Sequence, residues 1–143
     1  MRAIKTALGI LMTAVLIFGT AAPVFAANIS SLGSKISTQK KYTMYLGTND
    51  KDSGVQEIPA DEIRTRMHEI CMKYVDGYTV SVAEGFYRED TGETAREISL
   101  VYVFIDAPVD ALRKIMDEAL AAFNQSSILL EESKVRSTFY GGK

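Results

Sequence analysis

The sequence predicts an α+β domain in which two helices cover one face of a four-stranded antiparallel sheet. Three observations carry this prediction: runs of alternating apolar residues, two apolar stripes at helical spacing, and the order β-α-β-β-α-β in which they occur. That order, with two helices of similar length, is the signature of the ferredoxin-like fold. Because both β-α-β crossovers should be right-handed, we expect both helices on one face of the sheet and an open face opposite.

The first strand and first helix follow from local periodicity. Tyr42, Met44 and Leu46 alternate with other residues over 42–47, which predicts a strand, and a polar loop follows over 48–59. The residues after this loop predict a helix over 60–74. Its apolar stripe consists of Ile63, Met67, Ile70, Cys71 and Tyr74.

The second half of the chain predicts a hairpin of two strands, followed by a second helix and a last strand. Strands are predicted over 78–89 and 94–105, joined by a turn over 90–93. Pro108 should open a second helix with Asp106 as its cap. The buried stripe of this helix should be Val109, Leu112, Met116, Ala119, Leu120 and Phe123. A last strand begins over 127–130, and the sequence leaves open whether it continues towards Tyr140.

Composition and the N-terminal segment indicate an exported protein with one small domain. Residues 1–26 combine Arg2 and Lys5 with a short apolar run and a small-residue cleavage site, as secretory signal peptides do. We expect residues 27–41 to be a flexible tether and residues 42–143 to form one domain that has no membrane span after cleavage. The 143 residues carry a net charge of −2 and no basic patch, which argues against nucleic acid as a partner.

No recognised catalytic or cofactor motif occurs in the chain. There is no glycine-rich phosphate loop, zinc-ligand spacing or Ser/His/Asp set, so we predict no cofactor and lean against an enzyme. The single cysteine, Cys71, lies on the helix stripe and is expected to be a buried apolar residue. His68 lies three residues earlier, which leaves a Cys–His nucleophile as an alternative.

The open face of the sheet is the predicted functional surface. If Phe86 lies directly opposite Ile98 in the hairpin, the large apolar residues Val80, Val82, Phe86, Leu100, Tyr102 and Phe104 share the helix-covered face. This register also places Arg88 opposite Arg96, a like-charge pair that should be disfavoured. The candidate ligand or interface residues on the opposite face are Tyr45, Gly47, Tyr87, Glu97, Ser99, Val101 and Val103, with Ile105 beside them.

Several functions remain open for this surface. An apolar strip of this kind usually marks an interface, so a binding or interaction module that forms a homodimer through the open face is the leading hypothesis. A small ligand held between two such faces and a separate protein partner are alternatives. A calcium loop at Asn49, Asp50 and Asp52 is a further one, since alternating acidic residues supply oxygen ligands.

Short motifs spread along the chain resemble an uncharacterised domain family of secreted bacterial proteins. The resemblance covers about residues 42–131, and the family often has Trp where this chain has Tyr87. It implies bacterial origin and export, and it transfers no catalytic residue. The motifs are Tyr45-Leu46-Gly47-Thr48, Gly77-Tyr78-Thr79-Val80, Gly85-Phe86-Tyr87-Arg88, Arg96-Glu97 and Phe123-Asn124-Gln125-Ser126-Ser127-Ile128.

The layout is also distantly similar to the dimeric α+β barrel proteins, some of which are small monooxygenases or haem degraders. This resemblance implies an enzyme of that type as the alternative function. Tyr45, Tyr87 and Glu97 would then line its cavity, with Glu97 as acid or base. The absence of a suitably placed histidine argues against haem.

Overall fold

The computed structural model confirms the ferredoxin-like α+β fold. It describes residue 29, residues 35–88 and residues 91–141. The predicted signal peptide and about half of the predicted tether (residues 27, 28 and 30–34) lie outside the described residues. The elements are β1 (Ser37–Gly47), α1 (Ala60–Cys71), β2 (Thr79–Arg88), β3 (Thr94–Ile105), α2 (Val109–Ala122) and β4 (Leu129–Ser137).

All neighbouring strands of the sheet are antiparallel, in the order β2-β3-β1-β4. β1 begins at Ser37 rather than at the predicted Tyr42, because residues 37–41 pair with residues 133–137 of β4. The predicted tether therefore ends earlier than expected. The same pairing resolves the open question about the C-terminus, since β4 continues to Ser137.

The core lies between the two helices and one face of the sheet. Leu100, Tyr102 and Phe104 of β3 are fully buried there, together with the predicted α1 residues Ile63, Met67, Ile70 and Cys71. In α2 the prediction was partly wrong, because Val109 is half exposed and Ile115 is buried instead. The cap was also wrong: Pro108 takes the N-cap position without a side-chain hydrogen bond, and Asp106 adopts a positive φ of 56°.

The β2–β3 hairpin differs in register from the prediction by two residues. Phe86 lies opposite Arg96, and Arg88 lies opposite Thr94. The disfavoured Arg88–Arg96 pair is thereby avoided, and Arg96 instead forms an ion pair with Glu84 on the neighbouring strand. Because side chains alternate with a period of two, a slip of two residues leaves every predicted face unchanged.

The far half of β2 extends beyond the helices, so two predicted core residues are exposed. Val82 and Phe86 lie on the helix side of the sheet yet are 59% and 65% exposed. The 12 residues of α1 span about 18 Å, whereas the 10 residues of β2 span about 33 Å. The helices are too short to cover the whole hairpin.

One buried polar atom in the core leads to a stability prediction. The hydroxyl of Tyr102 is buried and has no hydrogen-bond partner among the described residues. Tyr102→Phe should therefore leave the free energy of unfolding unchanged or raise it by up to about 1 kcal/mol, because an unsatisfied buried group is removed. Urea unfolding measures this change.

Tyr42→Phe is the matched control for that measurement. Tyr42 is equally buried, but its hydroxyl interacts with the Lys40–Glu132 ion pair at the edge of the core. We expect this variant to be less stable than wild type. The prediction would be contradicted if Tyr102→Phe lowered the free energy of unfolding as much as Tyr42→Phe does.

Candidate functional site

A cleft of about 510 Å³ lies on the open face of the sheet, at the end where β1 stops. Here it is called the open-face cleft. The sheet contributes Tyr45 and Gly47 from β1, Tyr87 from β2, Glu97 and Ser99 from β3, and Leu129 from β4. The loop after β1 and the segment between α2 and β4 complete the lining with Asn49, Asp50, Lys51, Gly54, Gln125, Ser126 and Ser127.

Five of the seven predicted ligand or interface residues line this cleft. They are Tyr45, Gly47, Tyr87, Glu97 and Ser99. Val101 and Val103 lie on the same face further along β3, opposite Tyr45 and Thr43 of β1, and outside the cleft. The structure thus separates the predicted set into a polar group around the cleft and an apolar row beside it, which ends at the 46% exposed Ile105.

Gly47 makes room for the carboxylate of Glu97. A Cβ atom at Gly47 would lie 2.5 Å from Oε1 and 2.8 Å from Cδ of Glu97, so any larger residue would displace that side chain. Oε1 accepts a hydrogen bond of 2.9 Å from the backbone N–H of Asn49. The carboxylate therefore lies over the end of β1, in the space left by the absence of a side chain at Gly47, and one backbone N–H donates to it.

The loop that forms one wall of the cleft is fastened by two amide side chains that the sequence did not single out as site residues. Nδ2 of Asn124 donates to Oδ2 of Asp50 (2.8 Å) and to Oδ2 of Asp52 (2.7 Å). Nε2 of Gln125 donates to the backbone oxygen of Asn49 at 2.7 Å. Both residues belong to the Phe123–Ile128 motif of the resembled family, and this motif could have identified them as candidate site residues.

The same contacts bear on the calcium alternative at Asn49, Asp50 and Asp52. The Asn124 amide, followed by the backbone N–H groups of Asp52 and Ser53, holds the pKa of Asp50 below its usual value of 3.8. The carboxylates of Asp50 and Asp52 thus already have protein donors. Within the described ranges, no group of three or more His, Cys, Asp or Glu side chains could hold a metal ion.

Two tyrosines contribute aromatic surface to the cleft. Tyr45 lies opposite Val101 and donates from its hydroxyl to Glu131 at 3.2 Å. Tyr87 is 49% exposed and lies opposite Ala95, which is six residues before Val101 on β3. The register position of Glu97 falls between these two points, so a ligand on the carboxylate could contact one ring or extend towards both.

The Cys–His alternative has no chemical basis in this geometry. Cys71 is fully buried, as predicted, and burial raises the pKa of its thiol to about 12, so the nucleophilic thiolate is not formed at neutral pH. His68 is exposed, and its Nδ1 hydrogen bonds with the hydroxyl of Tyr78 at 2.9 Å.

Solved structures with a similar fold include a phage SAM lyase in complex with S-methyl-5'-thioadenosine. It is 15% identical, with a TM-score of 0.53 over 73% of this chain and 93% of the lyase chain. The apo form of the phage lyase gives a TM-score of 0.50 at 15% identity, covering 74% and 94% of the two chains. The periplasmic divalent cation tolerance protein CutA from Archaeoglobus fulgidus gives 0.40 at 10% identity, covering 69% and 84%. At these identities the likeness concerns the fold alone.

Sequence comparison places the chain in a family. No curated protein matches it. None of the helices in the described residues has the length and apolar character needed to cross a membrane. A family model described as "Protein of unknown function (DUF3574)" matches residues 41–139, a stretch that includes every element from β1 to β4 except the first residues of β1. The chain therefore belongs to the DUF3574 family.

Proposed function

We propose that this protein is an exported, non-enzymatic binding module that takes a small organic molecule in the open-face cleft and forms a homodimer through the rest of that face. The observation that carries the proposal is the cleft itself, which has glycine in its floor and a fixed carboxylate in its lining. Its volume falls within the range of about 300–1,000 Å³ that is usual for small-molecule sites. Neither the single histidine nor the single cysteine of the chain lines it.

The ligand part is tested by thermal shift with a small-molecule library. Tyr45→Ala and Tyr87→Ala should each reduce the stabilisation that a hit confers on the wild type, because aromatic surface in the cleft is lost. Tyr140→Ala is the matched control, since Tyr140 is 56% exposed and is absent from the cleft lining. A shift that persists unchanged in both cleft variants would refute this surface as the ligand site.

The dimer part rests on the apolar row beside the cleft. Val101, Val103 and Ile105 lie on the face that no helix covers, and a second copy would remove them from water. The row begins at Val101, opposite the cleft residue Tyr45, and runs away from the cleft along β3 to Ile105. A dimer contact centred on Val103 and Ile105 would leave the Glu97 end of the cleft uncovered.

Light scattering on a sizing column tests the dimer. The mature chain should have the mass of a dimer, and Val103→Glu should convert it to a monomer because a charge would be buried in the contact. Val82→Glu is the matched control, since Val82 is exposed on the helix side of the sheet. A monomeric wild type would exclude this part of the proposal and leave the ligand part standing.

Export is proposed from the N-terminal 26 residues. Expression of the full chain in a bacterial host should give a mature product that begins at Ala27. N-terminal sequencing measures this directly, and an uncleaved product in the membrane fraction would contradict the proposal.

An enzyme of the dimeric-barrel type is the second candidate, and the position of Glu97 in the cleft is the observation that favours it. The phage lyase with a similar fold supplies convenient probes. Incubation with S-adenosylmethionine, followed by chromatography, should show no loss of the compound if the module is only a binder. Loss that disappears in Glu97→Gln would favour the enzyme.

A further inference from the structure

The charges around the open-face cleft are not balanced. Three charged side chains line the cleft: Asp50, Lys51 and Glu97. Asp50 already accepts hydrogen bonds from Asn124, Asp52 and Ser53. Lys51 lies close enough to Asp50 to favour its ionised form. Among the residues that the structure describes, the carboxylate of Glu97 therefore has no counter-charge.

The carboxylate of Glu97 accepts fewer hydrogen bonds than it has acceptor positions. An ionised carboxylate offers about four acceptor positions, and within the described part of the chain Glu97 uses one of them, for the N–H of Asn49. The ion pairs Lys40–Glu132, Arg64–Asp61, Arg66–Glu62, Lys73–Glu118 and Arg96–Glu84 all involve other carboxylates. Arg96, its neighbour in sequence, pairs with Glu84 on the opposite face of the sheet.

Two features of the site define the position of this carboxylate. The Asn49 hydrogen bond holds one oxygen, and the missing side chain at Gly47 lets the group lie over the strand. Tyrosine rings, whose faces attract cations, line the same cleft. A fixed acceptor without a counter-charge, accompanied by aromatic rings, is the arrangement that recognises an amine or another organic cation.

We infer that the open-face cleft selects small organic molecules that carry a positive charge, with Glu97 as the residue that binds the charged group. This inference rests on the proposed ligand-binding function and narrows the ligand class. Gly47 is a positioning residue in this scheme, because it acts on the ligand only through the place it leaves for Glu97.

Three probes of one shape test the inference with the purified protein. Phenethylamine, phenethyl alcohol and phenylacetate share a ring and differ in charge. By calorimetric or NMR titration, phenethylamine should bind at least about tenfold more tightly than the alcohol, as one charge-assisted hydrogen bond provides. Phenylacetate should bind more weakly than either. Added salt should weaken binding of the amine and leave that of the alcohol unchanged.

Two pairs of variants separate charge from position. Glu97→Gln removes the charge and should abolish the preference for the amine, whereas Glu69→Gln, on the exposed side of α1, should keep it. Gly47→Ala displaces the carboxylate and should also abolish the preference. Gly85→Ala should not, because its added Cβ would meet only ordinary contacts at 3.8 Å. Circular dichroism and melting temperature establish that each variant is folded.

The outcomes distinguish this inference from the proposed function beneath it. Equal affinity for amine and alcohol, both weakened by Tyr87→Ala, would overturn charge selection and keep the cleft as a ligand site. No binding of phenethylamine at millimolar concentration, or a preference that survives Glu97→Gln, would also overturn it. Library hits insensitive to Tyr45 and Tyr87 would remove the proposed site altogether.

Discussion

Phe104→Ala is expected to lower the free energy of unfolding by about 3–5 kcal/mol, whereas Phe86→Ala should change it by less than about 1 kcal/mol. The two residues have the same side chain and lie on the same face of the sheet. Phe104 is fully buried, and its ring lies 6.0 Å from that of Tyr78 and 6.5 Å from that of Tyr102. Phe86 is 65% exposed. Urea denaturation followed by circular dichroism measures both changes.

This comparison tests how far the two helices cover the sheet. Truncation of Phe104 would leave a cavity in the core between the helices and the sheet. Truncation of Phe86 would remove a side chain that is already mostly in contact with solvent. A loss for Phe86→Ala comparable with that for Phe104→Ala would contradict the exposure of the hairpin. It would mean that another part of the chain or a second copy covers Val82 and Phe86 in solution.

The second large effect is expected at Asn124, whose amide fastens the cleft wall. Asn124→Ala should release the loop 48–58 and make the bond after Lys51 accessible to trypsin, because both side-chain hydrogen bonds to Asp50 and Asp52 are lost. The backbone of Asn124 has a positive φ of 47°. Alanine is strained there by about 1–2 kcal/mol and glycine is not. Mass spectrometry of limited digests measures the cleavage.

Asn124→Gly is the control that separates the amide from the backbone. It should expose Lys51 to trypsin as the alanine variant does, yet unfold at a higher temperature than that variant. Protection of Lys51 in Asn124→Gly would show that the remaining contacts, including the Gln125 bond to Asn49, hold the loop by themselves.

The stabilisation that the Asn124–Asp50 hydrogen bond provides should decrease as the pH falls. The pKa of Asp50 is lower in the folded protein than its usual value of 3.8, mainly because Asn124 donates to the ionised carboxylate. Its contribution to stability is therefore complete above the unfolded pKa and is lost as the pH falls through the folded value. The stability difference between wild type and Asn124→Gly should be constant near neutral pH and shrink below about pH 4.

Much of the fold was predictable from local patterns. The period-two alternation around Tyr42 and Leu100 and the helical stripes through Ile63 and Leu112 identified the strands, both helices and most of their buried faces. The order of these elements then specified the topology, because crossover handedness leaves few arrangements. Tyr45, Gly47, Tyr87, Glu97 and Ser99 could be assigned to one face for the same reason, since alternation depends only on neighbours in sequence.

Other features depend on residues far apart in the chain. The contact of Glu97 with Gly47 and Asn49 joins β3 to the end of β1, and the Asn124 contacts join two loops across 72 and 74 residues. The hairpin register, which brings Arg96 near Glu84 instead of opposite Arg88, also appeared only in the structure. The same is true of the exposure of Phe86, where β2 extends beyond the helices. Periodicity reports which face a side chain occupies. Which atoms meet on that face, and how much of it is covered, was decided only by tertiary packing.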